Sequence, residues 1–270
     1  MNRWERATSA ALARVEAQAT DPAGGRFSPE RAHGLPQPVA RYFTFALTAG
    51  QPLVRTARIT HEGEFRIRPG ARPSRFTSVQ YISSRPPGFV WDARIEMLPL
   101  LPVRVRDAYL SGQGSILGGI AGVIALVNRA ATPELGAGAL CRWLAEAVWL
   151  PTALLPGNGI TWDPVDSASA RATLTDAGRM VTMDVAFGDD GRIERISADR
   201  YRDVKGRGIL TPWQVSMGDY EQRGGMMIPI AAEVAWLLAA GPFTYWRGRI
   251  DTVQYRFVGT PDGERAGQQA

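Results

Sequence analysis

Glu146 lies inside the most apolar stretch of the chain, PELGAGALCRWLAEAVWLPTALL at 133–155. Burying an unpaired carboxylate costs several kcal/mol, so this side chain needs a partner or a wet cavity. Arg142 precedes it by four residues, the spacing at which side chains meet on one helix face. The pair has two readings: a polar anchor within a ligand pocket, or a buried ion pair that locks a helix to a sheet. Asp107, Arg104, Arg106, Asp199, Arg200 and Asp203 bring further charges onto strand-like runs. They read either as an interior charged cluster or as cross-strand pairs on a solvated face.

Tryptophan is the second unusual resource. Trp91, Trp143, Trp149, Trp162, Trp213, Trp236 and Trp246 fall in apolar or alternating runs, where indoles either line a hollow or fill a core. In a hollow, their N–H groups orient the polar end of a ligand.

Other chemistries find little support. His61, between Thr60 and Glu62, has no serine elbow, cysteine or second histidine beside it to complete a general-base site. One cysteine, Cys141, and two histidines, His33 and His61, leave no ligand set for a metal and no internal disulfide. SGQGSILGG at 111–119 spaces its glycines as G-x-G-x-x-x-G and lacks the βαβ context of a dinucleotide loop. Phosphate-loop and HExxH motifs do not occur. YWRGR at 245–249 interleaves aromatic and basic residues, but as an ordinary alternating strand. The formal charge of +5 is modest and scattered, Lys205 being the only lysine, so no nucleic-acid partner is expected. No cofactor is expected either.

The elements that must hold these residues follow from periodicity. Ala7, Ala11 and Val15 share a stripe of a weak amphipathic helix over 4–18, stopped by DPAGGRFSPE. LPQPVARYFTFALTAG predicts a second helix, with Pro38 in its first turn and Gly50 as its stop. From Pro52 the period becomes two, and PSRFTSVQYISS, PGFVWDARIEML and PVRVRDAYL follow as strands between Pro and Gly turns. The 133–155 run predicts one long helix, apolar around most of its circumference and therefore covered on nearly all sides, with Pro151 kinking or ending it. A second strand-rich half carries its turns at 176–178, 188–191 and 224–225. The expectation is a mostly β (α+β) protein: a large curled antiparallel sheet or half-barrel of about ten strands over one long apolar helix, with small N-terminal helices.

LPQPVARYF (35–43), HEGEF (61–65), PGFVWDARI (87–95), VRDAYLSGQG (105–114), RWLAEAVWLPTALLP (142–156) and TPWQVSMGDYEQRGGMMIP (211–229) together resemble an uncharacterised bacterial family. It is a domain of unknown function whose plan is similar to lipoprotein carriers of the LolA type. The likeness spans most of 35–258, with the EAVWLP and TPW…DY…G…IP segments as its most specific parts, while the likeness to LolA-type carriers rests on strand order and a terminal D-Y-x-x-x-G-G-x-x-x-P. The resemblance implies a curled half-barrel with an apolar hollow closed by helices, and it supplies no catalytic residues. It divides the chain into an N-terminal helix and linker (1–34), one half-barrel domain (35–258) and a disordered tail (259–270).

The first twenty residues are broken by Glu5, Arg6, Arg14 and Glu16, which predicts no secretory leader and a cytoplasmic chain. The longest uninterrupted apolar run, 116–127, is too short to span a bilayer. Peripheral contact with a membrane surface is left open. The function expected is a binding module for a lipid or acyl chain on the concave face. Its candidate ligand contacts are Trp91, Asp107, Arg142, Glu146, Trp149, Trp162, Arg200, Trp213, Tyr220 and Trp246. The alternatives are an enzyme using Glu146 or Asp107 as acid or base on a hydrophobic substrate, and a structural partner protein whose hollow is filled.

Overall fold

The computed structural model describes residues 2–98, 101–120, 124–129 and 131–260. Helices α1 (Arg3–Gln18) and α2 (Gln37–Ala46) precede the strands, and α3 (Pro133–Glu146) divides them. Before α3 come β1 (Val54–Phe65), β2 (Ser74–Ser83), β3 (Gly88–Leu98), β4 (Leu101–Leu110), β5 (Gln113–Ile120) and β6 (Ile124–Arg129). After it come β7 (Ile160–Pro164), β8 (Ser169–Asp176), β9 (Arg179–Phe187), β10 (Ile193–Val204), β11 (Arg207–Arg223), β12 (Met226–Leu238) and β13 (Gly241–Phe257).

All thirteen described strands form one sheet, ordered β6-β5-β4-β3-β2-β1-β13-β12-β11-β10-β9-β8-β7. Two antiparallel meanders therefore meet where the first strand pairs with the last. So wide a sheet coils, and side chains fasten the coil. Tyr109 at the end of β4 donates to Asp176 Oδ2 on β8 at 2.6 Å, and Arg179 on β9 donates to the Gly112 carbonyl after β4.

α3 lies in the concavity, packed on β4 and β5 from one side and on β9, β10 and β11 from the other. Pro133 opens it, and the Thr132 hydroxyl accepts from the Leu135 N–H at 3.2 Å. Leu140, Trp143 and Leu144 are fully buried, and the Trp143 indole donates to the Ser83 carbonyl at 2.9 Å. Gly114 on β5 meets the Leu135 carbonyl so closely that a Cβ has no room. Gly112, at φ +74, thus serves a turn and Gly114 a helix contact.

Two expectations are corrected. The described strands number thirteen rather than about ten, with Gln113–Ile120 and Ile124–Arg129 forming two of them. The long helix ends at Glu146 and not near Pro151 or Leu155; two 3-10 turns, Ala147–Trp149 and Pro151–Leu154, complete the segment. A proline disfavours helical backbone at the residue before it. Leu150 accordingly takes φ −126 and ψ 66, so the break lies before the ring.

α1 covers the outer face of β2, β3 and β4. Trp4 and Thr8 donate to Asp92 at 3.1 and 2.9 Å, and Val15 packs with Val90, Ala108 and Leu110 in a cluster of its own. Val90 and Asp92 alternate with Trp91, so α1 and the concave face lie on opposite sides of β3. α2 buries Val39, Tyr42 and Phe43 in the main core. Of the 259–270 tail, residues 261–270 lie outside the described residues.

Gly63 on β1 pairs with Gly248 on β13, and a Cβ on Gly63 would collide with the backbone of Arg247 and Gly248. Gly63→Ala is expected to destabilise the protein by forcing apart the join between the meanders. Trp143→Ala should cost about 3–5 kcal/mol. Denaturant titration of each variant checks both.

Candidate functional site

Beside the C-terminal half of α3 the concave face leaves a cavity of about 470 Å³. Alternation along the strands supplies its walls: Trp213, Val215 and Met217 from β11, Ala232, Val234 and Trp236 from β12. β13 contributes Phe243, Tyr245 and Trp246. Two adjacent residues of one strand share this lining because of a bulge: Val234 pairs with Trp246 and Ala235 with Thr244, leaving Tyr245 unopposed. Trp91, Asp107 and Ile116 stand across from them on β3, β4 and β5, and Phe65 with residues 66–69 flanks the opening. The aromatic rings touch in series. Phe65 meets Tyr245 at 6.2 Å, and Tyr245 stacks on Trp236 at 5.8 Å.

One end of the lining is polar. Arg142 donates to Asp107 Oδ2 and to Glu146 Oε1, each at 2.7 Å, and its guanidinium lies 4.9 Å and 5.0 Å from the ring centres of Phe89 and Trp91. Gln80 on β2 donates to the other Glu146 oxygen at 2.6 Å. Burial works against the Arg142 charge, but the charges and hydrogen bonds of Glu146 and Asp107 outweigh it and hold the guanidinium above its usual range. Asp107 Oδ1, Gln80 Oε1, Trp149 Nε1 and His61 Nε2 are buried without a hydrogen-bond partner among the described residues. Such atoms are uncommon in a packed interior and gather here around one ion-pair cluster.

His61 stands behind the cavity wall. It is 2% exposed, its Nδ1 lies 3.3 Å from the Ser78 hydroxyl, and its ring is 4.9 Å from Trp149 and 6.2 Å from Trp246. Burial, with the Arg142 charge adding to it, lowers its pKa from 6.5 to about 3, so the imidazole is neutral at ordinary pH.

Arg200 and Arg202, two residues apart on β10, occupy another part of the lining. Arg200 donates to the Gly138 carbonyl at 2.8 Å and to the Tyr245 hydroxyl at 3.4 Å, and its guanidinium lies over Trp213 and Trp236. Arg202 lies over Trp236 at 6.0 Å, with its Nε buried and unpaired.

The cavity gathers Trp91, Asp107, Arg142, Glu146, Trp149, Arg200, Trp213 and Trp246 from the ten candidate contacts. Trp162 and Tyr220 lie elsewhere. The Trp162 indole donates to the Leu154 carbonyl at 3.0 Å, and the Tyr220 hydroxyl to the Ile193 carbonyl at 2.7 Å. Arg104 and Arg106 turn outward, the first to Asp92 and both toward Trp4. Phe65, Gln80, Arg202, Trp236, Phe243 and Tyr245 belong to the site or its support without having been named as contacts. Arg202 and Trp236 were within reach of the strand alternation, two residues from Arg200 and among the flagged tryptophans.

These features define an antiparallel half-barrel that wraps a central helix and keeps an aromatic cavity on its concave side. Within that class the chain belongs to DUF6920, a family of unknown function whose model matches residues 33–255. Two solved structures are similar to it. A domain assigned to outer-membrane lipoprotein sorting, from Vibrio parahaemolyticus, shares 9% identity over 77% of this chain and 88% of its own, with a TM-score of 0.39. A LolA-superfamily protein from Nitrosomonas europaea shares 11% identity over 82% of this chain and 94% of its own, with a TM-score of 0.34. No curated protein sequence matches the chain. Among the described residues no cluster of His, Cys, Asp and Glu can hold a metal ion, and no helix is long and apolar enough to cross a membrane.

Removing the cation of the polar cluster leaves two carboxyl groups facing each other out of water. Arg142→Met is expected to destabilise by about 3–5 kcal/mol, and adding Asp107→Asn and Glu146→Gln to recover part of that loss, by urea titration. His61 adds a pH dependence. The unfolded chain takes up a proton near pH 6.5 and the folded chain only near pH 3. Stability is therefore full above about 6.5 and declines as pH falls toward 3. Unfolding free energies across that window should fall less steeply for His61→Gln than for the wild type.

Proposed function

We propose that this protein is a binding module that takes a hydrophobic ligand, a lipid or an acyl chain, into the concave face of its sheet. The supporting observation is the cavity itself. About 470 Å³ stays open beside α3, within the ~300–1,000 Å³ span of small-molecule sites. Its walls are chiefly apolar and include eight aromatic residues, with charged groups gathered at fixed places. The same volume speaks against a purely structural protein whose helix fills the hollow. The enzyme reading needs a carboxyl free to move a proton, whereas Asp107 and Glu146 both face Arg142 at 2.7 Å.

Native mass spectrometry of protein purified from its host, followed by organic extraction, is expected to find a co-purifying lipid. Brominated acyl chains should quench the fluorescence of Trp213, Trp236 and Trp246 in a saturable titration. Val234→Trp, which fills the cavity, is expected to weaken that binding by about tenfold or more, or ~1.4 kcal/mol. Absence of both an extracted lipid and saturable quenching overturns the reading.

A further inference from the structure

The cavity contains two kinds of arginine. Arg142 is neutralised by Asp107 and Glu146, and that cluster carries one formal negative charge when both carboxyls are ionised. Arg200 and Arg202 form no ion pair with a carboxylate among the described residues, although Asp203, on the same strand, also lines the cavity. Arg200 spends two of its donors on a neutral carbonyl and a hydroxyl, and lies 5.0 Å and 5.7 Å from the ring centres of Trp213 and Trp236. Arg202 leaves a buried Nε–H unpaired. Aromatic faces hold a guanidinium without cancelling its charge, and partial burial deprives it of water.

From this contrast we infer that the ligand is an anionic amphiphile whose head group is held between Arg200 and Arg202, its apolar chain lying along Trp213, Trp236, Tyr245 and Trp246. The inference rests on the reading of the cavity as a hydrophobic-ligand site. Residues two apart on a strand put their side chains on one face roughly 6.6 Å apart, a spacing that lets one carboxylate or phosphate accept from both guanidinium groups. Arg200 is already oriented by the Gly138 carbonyl and the Tyr245 hydroxyl, so less side-chain entropy is lost on binding. Arg66 and Arg68, which also line the cavity, add positive potential on the anion's approach. The acidic cluster around Arg142 repels the head group, which fixes the direction in which an amphiphile enters.

Dansylaminoundecanoic acid and its methyl ester test this, since they share a chain and differ in head-group charge. The wild-type protein should bind the acid about tenfold or more tightly than the ester, with the difference shrinking toward 1 M salt. Arg200→Gln with Arg202→Gln should bring the two probes to within about twofold of each other, the acid losing more affinity than the ester. Arg202→Gln alone, which removes no hydrogen bond within the protein, should lose part of the preference with the fold intact by circular dichroism. Equal wild-type affinities for acid and ester overturn the inference and leave the hydrophobic-ligand reading standing. So does an acid preference that survives both substitutions. Binding of neither probe instead removes the reading on which the inference rests.

Discussion

A helix apolar around most of its circumference persists in water only when covered on nearly all sides, and the architecture follows from that requirement. No flat sheet covers more than one side of α3. Here a single sheet of thirteen strands coils until β5 and β10 both lie against it. Tyr109 with Asp176, and Arg179 with the Gly112 carbonyl, fasten the coil at strands far apart in the sheet order. A coiled sheet and a straight rod do not match in shape, and the mismatch beyond the C-terminal half of α3 is the cavity. It continues the fold's own curvature and needs no separate domain.

Burying that helix also decides how its charges behave. Arg142 and Glu146 sit on a segment that is otherwise almost wholly buried, and reach little solvent themselves. The sheet answers with Asp107 from β4 and Gln80 from β2, so the helix pair becomes a four-residue cluster that fixes α3 against both strands. The two readings of the pair are therefore compatible: it ties helix to sheet, and it lies in the lining of the cavity. Arg200 and Arg202 differ because their cross-strand neighbours on β11 are Thr211 and Ile209, neither of them an acid. Their surroundings are indole rings, which leave their charge available.

The strands were readable in the sequence almost run by run because one side of each faces solvent and the other the core, which imposes a period of two. The cavity walls follow the same rule. Trp213, Val215 and Met217 alternate, as do Ala232, Val234 and Trp236, so most of the site could be placed on one face from sequence alone. Three things could not. The helix end depended on how Leu150 settles before Pro151 when every neighbour is buried, and apolarity alone does not distinguish an α turn from a 3-10 turn. Trp162 and Tyr220 match the site residues in type, yet their partners are the carbonyls of Leu154 and Ile193, contacts that only the tertiary fold brings about. Tyr245 was hidden by a bulge, since strict alternation assigns it and Trp246 to opposite faces.

That bulge, with the paired glycines nearby, explains why the hollow does not simply collapse. Gly63 and Gly248 let β1 and β13 approach where any side chain would collide, and the Trp246 indole lies over the bare Gly248 backbone. The extra residue then places the Tyr245 hydroxyl where it accepts from both the Trp213 indole, at 3.1 Å, and Arg200. One phenol thus ties β13 to β11 and β10 across the cavity wall. Rings joined in this way cannot rotate inward to fill the space without breaking hydrogen bonds in a setting poor in water, where unpaired donors cost most. The opening is therefore held by the same contacts that orient Arg200, so the shape of the cavity and the direction of its free charge have a single structural cause.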